Sequence, residues 1–177
     1  MTQKFTGLQL QSTLDQSATL RLELVETTVS DPGPDEIIVQ VEASPVNPSD
    51  LAVLLGAATA PADLDTLESV GTADRPIVIA SVPPESMGLL TARVGVGITP
   101  GAEGAGIVVA AGSNAGHLLG RRVGMRGGAL YSQYRKLGVA DCIALPDDVT
   151  SADGASNGGI ARSSSLRKML AARTSEY

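Results

Sequence analysis

The sequence predicts a mostly β domain with a few short helices, folded as a partly open β-barrel. Three observations carry that expectation: short runs of alternating apolar and charged residues, frequent Gly and Pro between the runs, and only brief stretches bounded by helix start and stop signals. Gly contributes 20 and Pro 10 of the 177 residues. Hydrophobic residues make up 43 %, yet there are only one Phe, three Tyr and no Trp, so Val, Ile, Leu and Ala must build the core.

Residues 6–27 read as two strands around the polar segment Ser12–Ser17, the second being the alternating run Leu20-Arg21-Leu22-Glu23-Leu24-Val25-Glu26. Asp31-Pro32-Gly33-Pro34 is a turn, because proline fixes φ and glycine tolerates the rarer backbone conformations. A third strand follows over Glu36–Glu42. Val46-Asn47-Pro48-Ser49-Asp50 then breaks the strand, and Ser49 or Asp50 caps a short helix over Leu51–Leu55 that Gly56 ends. Ala57–Ala62 is low in complexity, Asp63–Glu68 allows one helical turn, and Pro76–Ala80 reads as a buried strand that Pro83 and Pro84 close. Three more strands are expected over Gly106–Ala111, Arg121–Met125 and Ala129–Leu137, with a short closing strand over Cys142–Leu145 and a turn at Pro146–Val149.

Charge and composition narrow the function classes. A net charge of −6 disfavours general nucleic-acid binding, since an acidic surface repels phosphate backbones. The charge is uneven: residues 1–156 hold 18 acidic and 9 basic side chains, whereas Arg162, Arg167, Lys168 and Arg173 stand against Glu176 alone in 157–177. With one cysteine, Cys142, neither an internal disulfide nor a cysteine-based metal cluster can form, and His117 is the lone histidine. No basic start leads into an apolar run, and no stretch approaches the roughly 18 apolar residues of a membrane span. A cytoplasmic protein without membrane or nucleic-acid partners is expected.

Four short motifs occur in order: Val46-Asn47-Pro48-Ser49-Asp50, Pro100-Gly101-Ala102-Glu103-Gly104-Ala105-Gly106, Gly120-Arg121-Arg122-Val123-Gly124, and Ala144-Leu145-Pro146-Asp147-Asp148-Val149. Together they resemble the GroES-like catalytic domain of the medium-chain alcohol dehydrogenase and quinone reductase superfamily, over roughly residues 20–156. The glycines of 101–106 do not read as a dinucleotide fingerprint, which must follow a strand and enter a helix; they follow a Thr-Pro turn and enter a strand, where they allow tight turns and close packing.

The resemblance implies a zinc-free branch. Metal-dependent relatives place a cysteine ligand where this chain has Asn47 and a histidine ligand where it has Ala102. An amide replaces a thiolate poorly, and a methyl group has no lone pair to offer, so no catalytic zinc is expected. In zinc-free relatives the Asn-Pro segment lines the cleft beside the nicotinamide, which makes Asn47, Asp50 and Glu103 the candidate substrate- or cofactor-lining residues. Each has a structural reading beside it: Asn47 as a turn residue, Asp50 as a helix cap or first-turn acid, Glu103 as an acceptor for backbone amides. No catalytic residue is assigned. Enoyl thioester reductases of the superfamily carry a Tyr two residues past the glycine that ends the short helix, where this chain has Ala58. Tyr131 and Tyr134 read as packing residues, His117 as a loop residue, and Cys142 as a small buried apolar one.

Complete family members continue into a nucleotide-binding Rossmann domain, and nothing after Ser156 supplies the strand, glycine-rich turn and helix that it needs. The chain therefore divides into a GroES-like domain, 1–156, and a divergent basic tail, 157–177. That tail reads as a docked helix with Leu166, Met169 and Leu170 on one face, a partner-binding segment, or a truncation or frameshift scar. The resemblance implies the substrate side of a zinc-independent, NAD(P)H-dependent oxidoreductase reducing a quinone, enal or activated carbonyl, binding no cofactor tightly and inactive alone. The other reading is a non-enzymatic barrel module that binds a protein partner, or an orphan fragment. Two partners beyond a small-molecule substrate stay open: a second copy, giving a homodimer, or a missing Rossmann half.

Overall fold

A computed structural model describes residues 4–56 and 67–156. The chain is mostly β, with short helices and two antiparallel sheets, neither of which closes on itself. In order the elements are β1 (Phe5–Leu14), β2 (Thr19–Val29), β3 (Glu36–Ala43), α1 (Pro48–Leu55), β4 (Glu68–Gly71), β5 (Pro76–Ser81) and α2 (Pro84–Leu90). Then follow β6 (Glu103–Ala111), β7 (Arg122–Arg126), β8 (Tyr134–Gly138), β9 (Cys142–Ala144) and α3 (Ser151–Ser156). These elements form two compact units. One comprises residues 4–6, 28–45 and 101–156, the other residues 7–27, 46–56 and 67–100.

The first unit is built on a five-stranded sheet in the order β8-β3-β6-β7-β9. β3 pairs antiparallel with β6 on one side and β8 on the other, and Ile37, Ile38 and Val39, whose side chains alternate between the two faces of the sheet, are all fully buried. That explains the continuous apolar run there, which a strand covered on both faces requires. Ile37 and Val39 join Val108, Val123, Met125, Leu130 and Leu137 in the main core. A second cluster forms where Ala155 of α3 packs against Leu145 and Ala105. Each fully buried aliphatic side chain contributes about 1.5–3 kcal/mol.

The second unit carries a four-stranded sheet in the order β1-β2-β5-β4. Its core is smaller: Leu14, Leu20, Ala80 and Val82 are buried, with Leu22, Leu55, Met87, Leu90 and Val94 partly buried around them. β4, at the sheet edge, is exposed along its whole length. No helix among the described residues is long and apolar enough to cross a membrane.

Several boundaries differ from the sequence reading, each for a local reason. Ser12 is not part of a polar break but lies fully buried inside β1. Its hydroxyl donates to the Leu54 carbonyl at 2.7 Å and accepts from Arg93 Nη2 at 3.0 Å, so its polarity is satisfied internally. The turn proper is 15–18, where the Asp15 carboxylate accepts from Ser17 N–H, Ser17 Oγ and Thr19 N–H. Pro84 does not merely end β5; it opens α2, where a residue lacking an N–H suits the first turn. α3 is likewise a helix that the sequence reading missed. β8 begins only at Tyr134, because Gly127, Gly128 and Ala129 all take positive φ and turn the chain aside. The expected helical turn at Asp63–Glu68 lies largely outside the described residues, and Glu68 itself starts β4. The basic-tail helix and Ala58 also lie outside them.

Candidate functional site

In the five-stranded unit, the clearest construction is the segment Gly101-Ala102-Glu103, where a turn passes into β6. Its three consecutive carbonyls each accept a hydrogen bond from a different donor. Leu130 N–H meets Gly101 O at 3.1 Å, Gly127 N–H meets Ala102 O at 3.3 Å, and Ser44 Oγ meets Glu103 O at 2.6 Å. Gly101 has φ +101°, and a Cβ there would lie 2.6 Å from the Tyr131 nitrogen and 2.8 Å from Leu130 main-chain atoms. Only glycine suits that conformation and that clearance. Gly106 has a separate cause: a Cβ would stand 2.0 Å from the Gln40 carbonyl oxygen, where the irregular register of β3 brings the two strands together. Both glycines thus answer to backbone packing.

Glu103 is the first residue of β6 rather than part of the turn before it, and Arg126 of β7 stands directly opposite. Its carbonyl, not its carboxylate, makes the bond to Ser44, which differs from the expectation that the acid itself fixes the turn. Tyr131 lies in the loop before β8, not on the strand, and its phenol donates to the Pro45 carbonyl at 3.0 Å. Tyr134 is a packing residue, its ring 5.5 Å from that of Phe5.

Asn47 and Asp50 belong to the four-stranded unit. Asn47, not Ser49 or Asp50, caps α1, with Pro48 in the first turn. Asp50 is 3 % exposed, and its carboxylate accepts the Asn47 N–H at 3.0 Å. That is the return half of a capping box, in which the third helical residue reaches back to the cap. The structure therefore brings Asn47 and Asp50 together, while Glu103 is placed in the other unit. Sequence reasoning named both residues but missed their pairing, although a cap followed three residues later by an acid is a legible signal.

The remaining side chains set limits on the chemistry. His117 is exposed on a single 3₁₀ turn, Gly116–Leu118. Cys142 donates to the Val139 carbonyl, and burial, reinforced by Asp141, pushes its thiol up to about 11. At neutral pH it is a thiol, not a nucleophilic thiolate. No group of three metal-ligating side chains exists among the described residues. A carboxamide at 47 and a methyl group at 102 do not fit a catalytic zinc. Nor does Gly101–Gly106 fit the pyrophosphate of a dinucleotide, because it enters an antiparallel strand rather than a helix N-terminus.

Comparison with known proteins agrees with this architecture. Residues 33–170 match the alcohol dehydrogenase GroES-like domain family, and the chain belongs to that family. Similar folds occur in the quinone oxidoreductase from Coxiella burnetii, with a TM-score of 0.56 and 16 % identity over 86 % of this chain and 41 % of that one. The Escherichia coli quinone oxidoreductase complexed with NADPH gives 0.52 and 22 % identity over 85 % and 36 %. The CurK enoyl reductase gives 0.55 and 17 % over 84 % and 38 %. The chain thus spans well under half the length of these structures. No curated protein matches it.

Proposed function

We propose that this chain is the substrate-side portion of a zinc-independent, NAD(P)H-dependent oxidoreductase that reduces a quinone, an enal or a related activated carbonyl, and that it is inactive alone. The observation that carries the reading is the pair of family positions 47 and 102. The first is an asparagine fixed at the start of α1 by Asp50, and the second a methyl group on a clamped turn. A carboxamide offers both a donor and an acceptor, which suits orienting a carbonyl oxygen and does not suit holding zinc. Asn47, Asp50 and Glu103 are the lining candidates, with Asp50 acting through Asn47. The reduction itself requires a nicotinamide.

Incompleteness has its own support. Among the described residues, six of the seven exposed large hydrophobic side chains fall in the four-stranded unit, and Val46, Leu51 and Val53 are near neighbours in sequence at α1. Apolar side chains left exposed in this way suit a surface that a further part of a longer chain covers. Titration of the full chain with NADPH and NADH, followed by fluorescence, tests the proposal together with metal analysis. The expected result is no saturable binding up to millimolar nucleotide and far less than one zinc per chain. Micromolar binding would overturn the incompleteness, and one tightly held zinc would overturn the zinc-free assignment.

A further inference from the structure

We infer that Tyr131 is a positioning residue, whose phenol, together with Ser44, fixes where the chain departs toward Asn47. β3 ends at Ala43, so the Pro45 carbonyl belongs to no sheet ladder, and α1 begins only at Pro48. A main-chain acceptor in such a gap needs another partner. Tyr131 supplies it at 3.0 Å from 86 residues along the sequence. The neighbouring Ser44 is tied to Glu103 O, so two consecutive residues ahead of the cap are held, one from the start of β6 and one from the loop before β8.

Tyr131 is itself placed rather than free to wander. Leu130 before it is 1 % exposed in the main core, and its N–H is bonded to Gly101 O. The absence of a side chain at Gly101 lets the Leu130 and Tyr131 main chain lie against it, where a Cβ would collide. Ala102, Glu103, Tyr131 and the Pro45 carbonyl all belong to the five-stranded unit. The Tyr131 phenol bonds the main chain two residues before the candidate substrate-lining asparagine.

This inference rests on the reading of Asn47 as a lining residue only for its functional consequence, and the test separates the two. Tyr131→Phe keeps the ring and removes the hydroxyl. Amide hydrogen exchange is followed on the full chain, and binding of duroquinone, a quinone without free ring positions for thiol attack, is followed by the amide signals of Val46 and Asn47. Exchange over residues 44–50 is expected to rise about fivefold, the factor worth one net hydrogen bond, while β6 and β7 are unchanged. Duroquinone affinity is expected to fall by a similar factor, an effect that a merely structural tyrosine would not produce. Unchanged exchange at 44–50, or an equal rise across the whole unit, overturns the positioning role. A local rise in a chain whose wild type binds no duroquinone upholds the brace and sinks the quinone reading of the site. If Tyr131→Phe fails to fold, Ser44→Ala is expected to loosen the same segment by itself, and its failure to do so counts against the inference.

Discussion

The two units of this chain solve the problem of burial differently. The five-stranded unit surrounds β3 on both sides, and its main core contains seven side chains at 1 % exposure or less among Ile37, Val39, Val108, Ala115, Val123, Met125 and Leu130. Among its described residues, Leu119 is the one large hydrophobic side chain that is exposed. The core cluster of the four-stranded unit gathers Leu14, Leu20, Ala80 and Val82 with a half-buried margin, and the unit leaves Leu89 at 85 % and Val46 at 70 % exposure. The five-stranded sheet buries three consecutive residues of β3, whereas the four-stranded sheet leaves its edge strand β4 exposed along its length. Substitutions that act on one unit alone can break or sharpen this contrast.

The largest effect is expected at Gly106→Ala. Its Cβ would lie 2.0 Å from a carbonyl oxygen that belongs to the backbone, so β3 and β6 must separate. A loss of about 3 kcal/mol or more in urea unfolding is expected, at the upper end of overpacking costs. A loss under about 1 kcal/mol would show that the sheet yields more readily than its packing implies. Next come the paired truncations Ile37→Ala and Leu20→Ala. Both side chains are buried, at 0 % and 1 % exposure, but their surroundings differ in capacity to collapse. Ile37→Ala should cost about 4 kcal/mol and Leu20→Ala about 2–3 kcal/mol, because the looser margin refills the cavity better. Equal losses would dissolve the distinction between the two cores.

The pH limits should also divide between the units. Cys142, in the five-stranded unit, has its thiol raised by burial from an ordinary 9.0 to about 11. The unfolded chain then loses that proton first, so the stability present below pH 9 declines as pH rises toward 11. Cys142→Ala should flatten that alkaline limb, and iodoacetamide labelling of the folded protein should accelerate only toward pH 11. Asp15, in the four-stranded unit, is held below its ordinary 3.8 by the Ser17 hydroxyl first, then by the Thr19 N–H. Its contribution is present above 3.8 and is lost as pH falls through the lower folded value, so Asp15→Asn should remove an acid limb from the melting curve. The smallest change in stability is expected for Leu89→Ser, within about 0.5 kcal/mol, since an exposed side chain leaves no cavity. Light scattering should nevertheless show less self-association if the exposed residues of this unit are sticky.

Alternation made β2 legible, and the apolar run with its flanking turn made β3 legible, because their burial follows from the local pattern. Asn47-Pro48 likewise marked a break before a helix. What could not be read depends on distant partners. Ser12 looks like loop chemistry until the Leu54 carbonyl and Arg93 meet it. Glu103 looks like a turn acid until Arg126 comes opposite and extends the strand. Pro84 serves equally as a strand stop or a helix start. Of the candidate site, the residue types at 47, 50, 102 and 103 were readable. The clamp on Gly101–Glu103 was not, since two of its three donors are backbone N–H groups, which every residue except proline carries.

The pairing of β3 with β6 also governs the order in which the chain can assemble. Val39 finds Val108 only after the whole of the four-stranded unit's later half, residues 46–100, has been made. On a growing polypeptide the smaller core is therefore complete in sequence while the larger one still waits for its central partner. Because closing long loops slows folding, the better-buried unit is the one that forms last, and β3, with its three consecutive apolar residues, is the segment left unguarded in the interval.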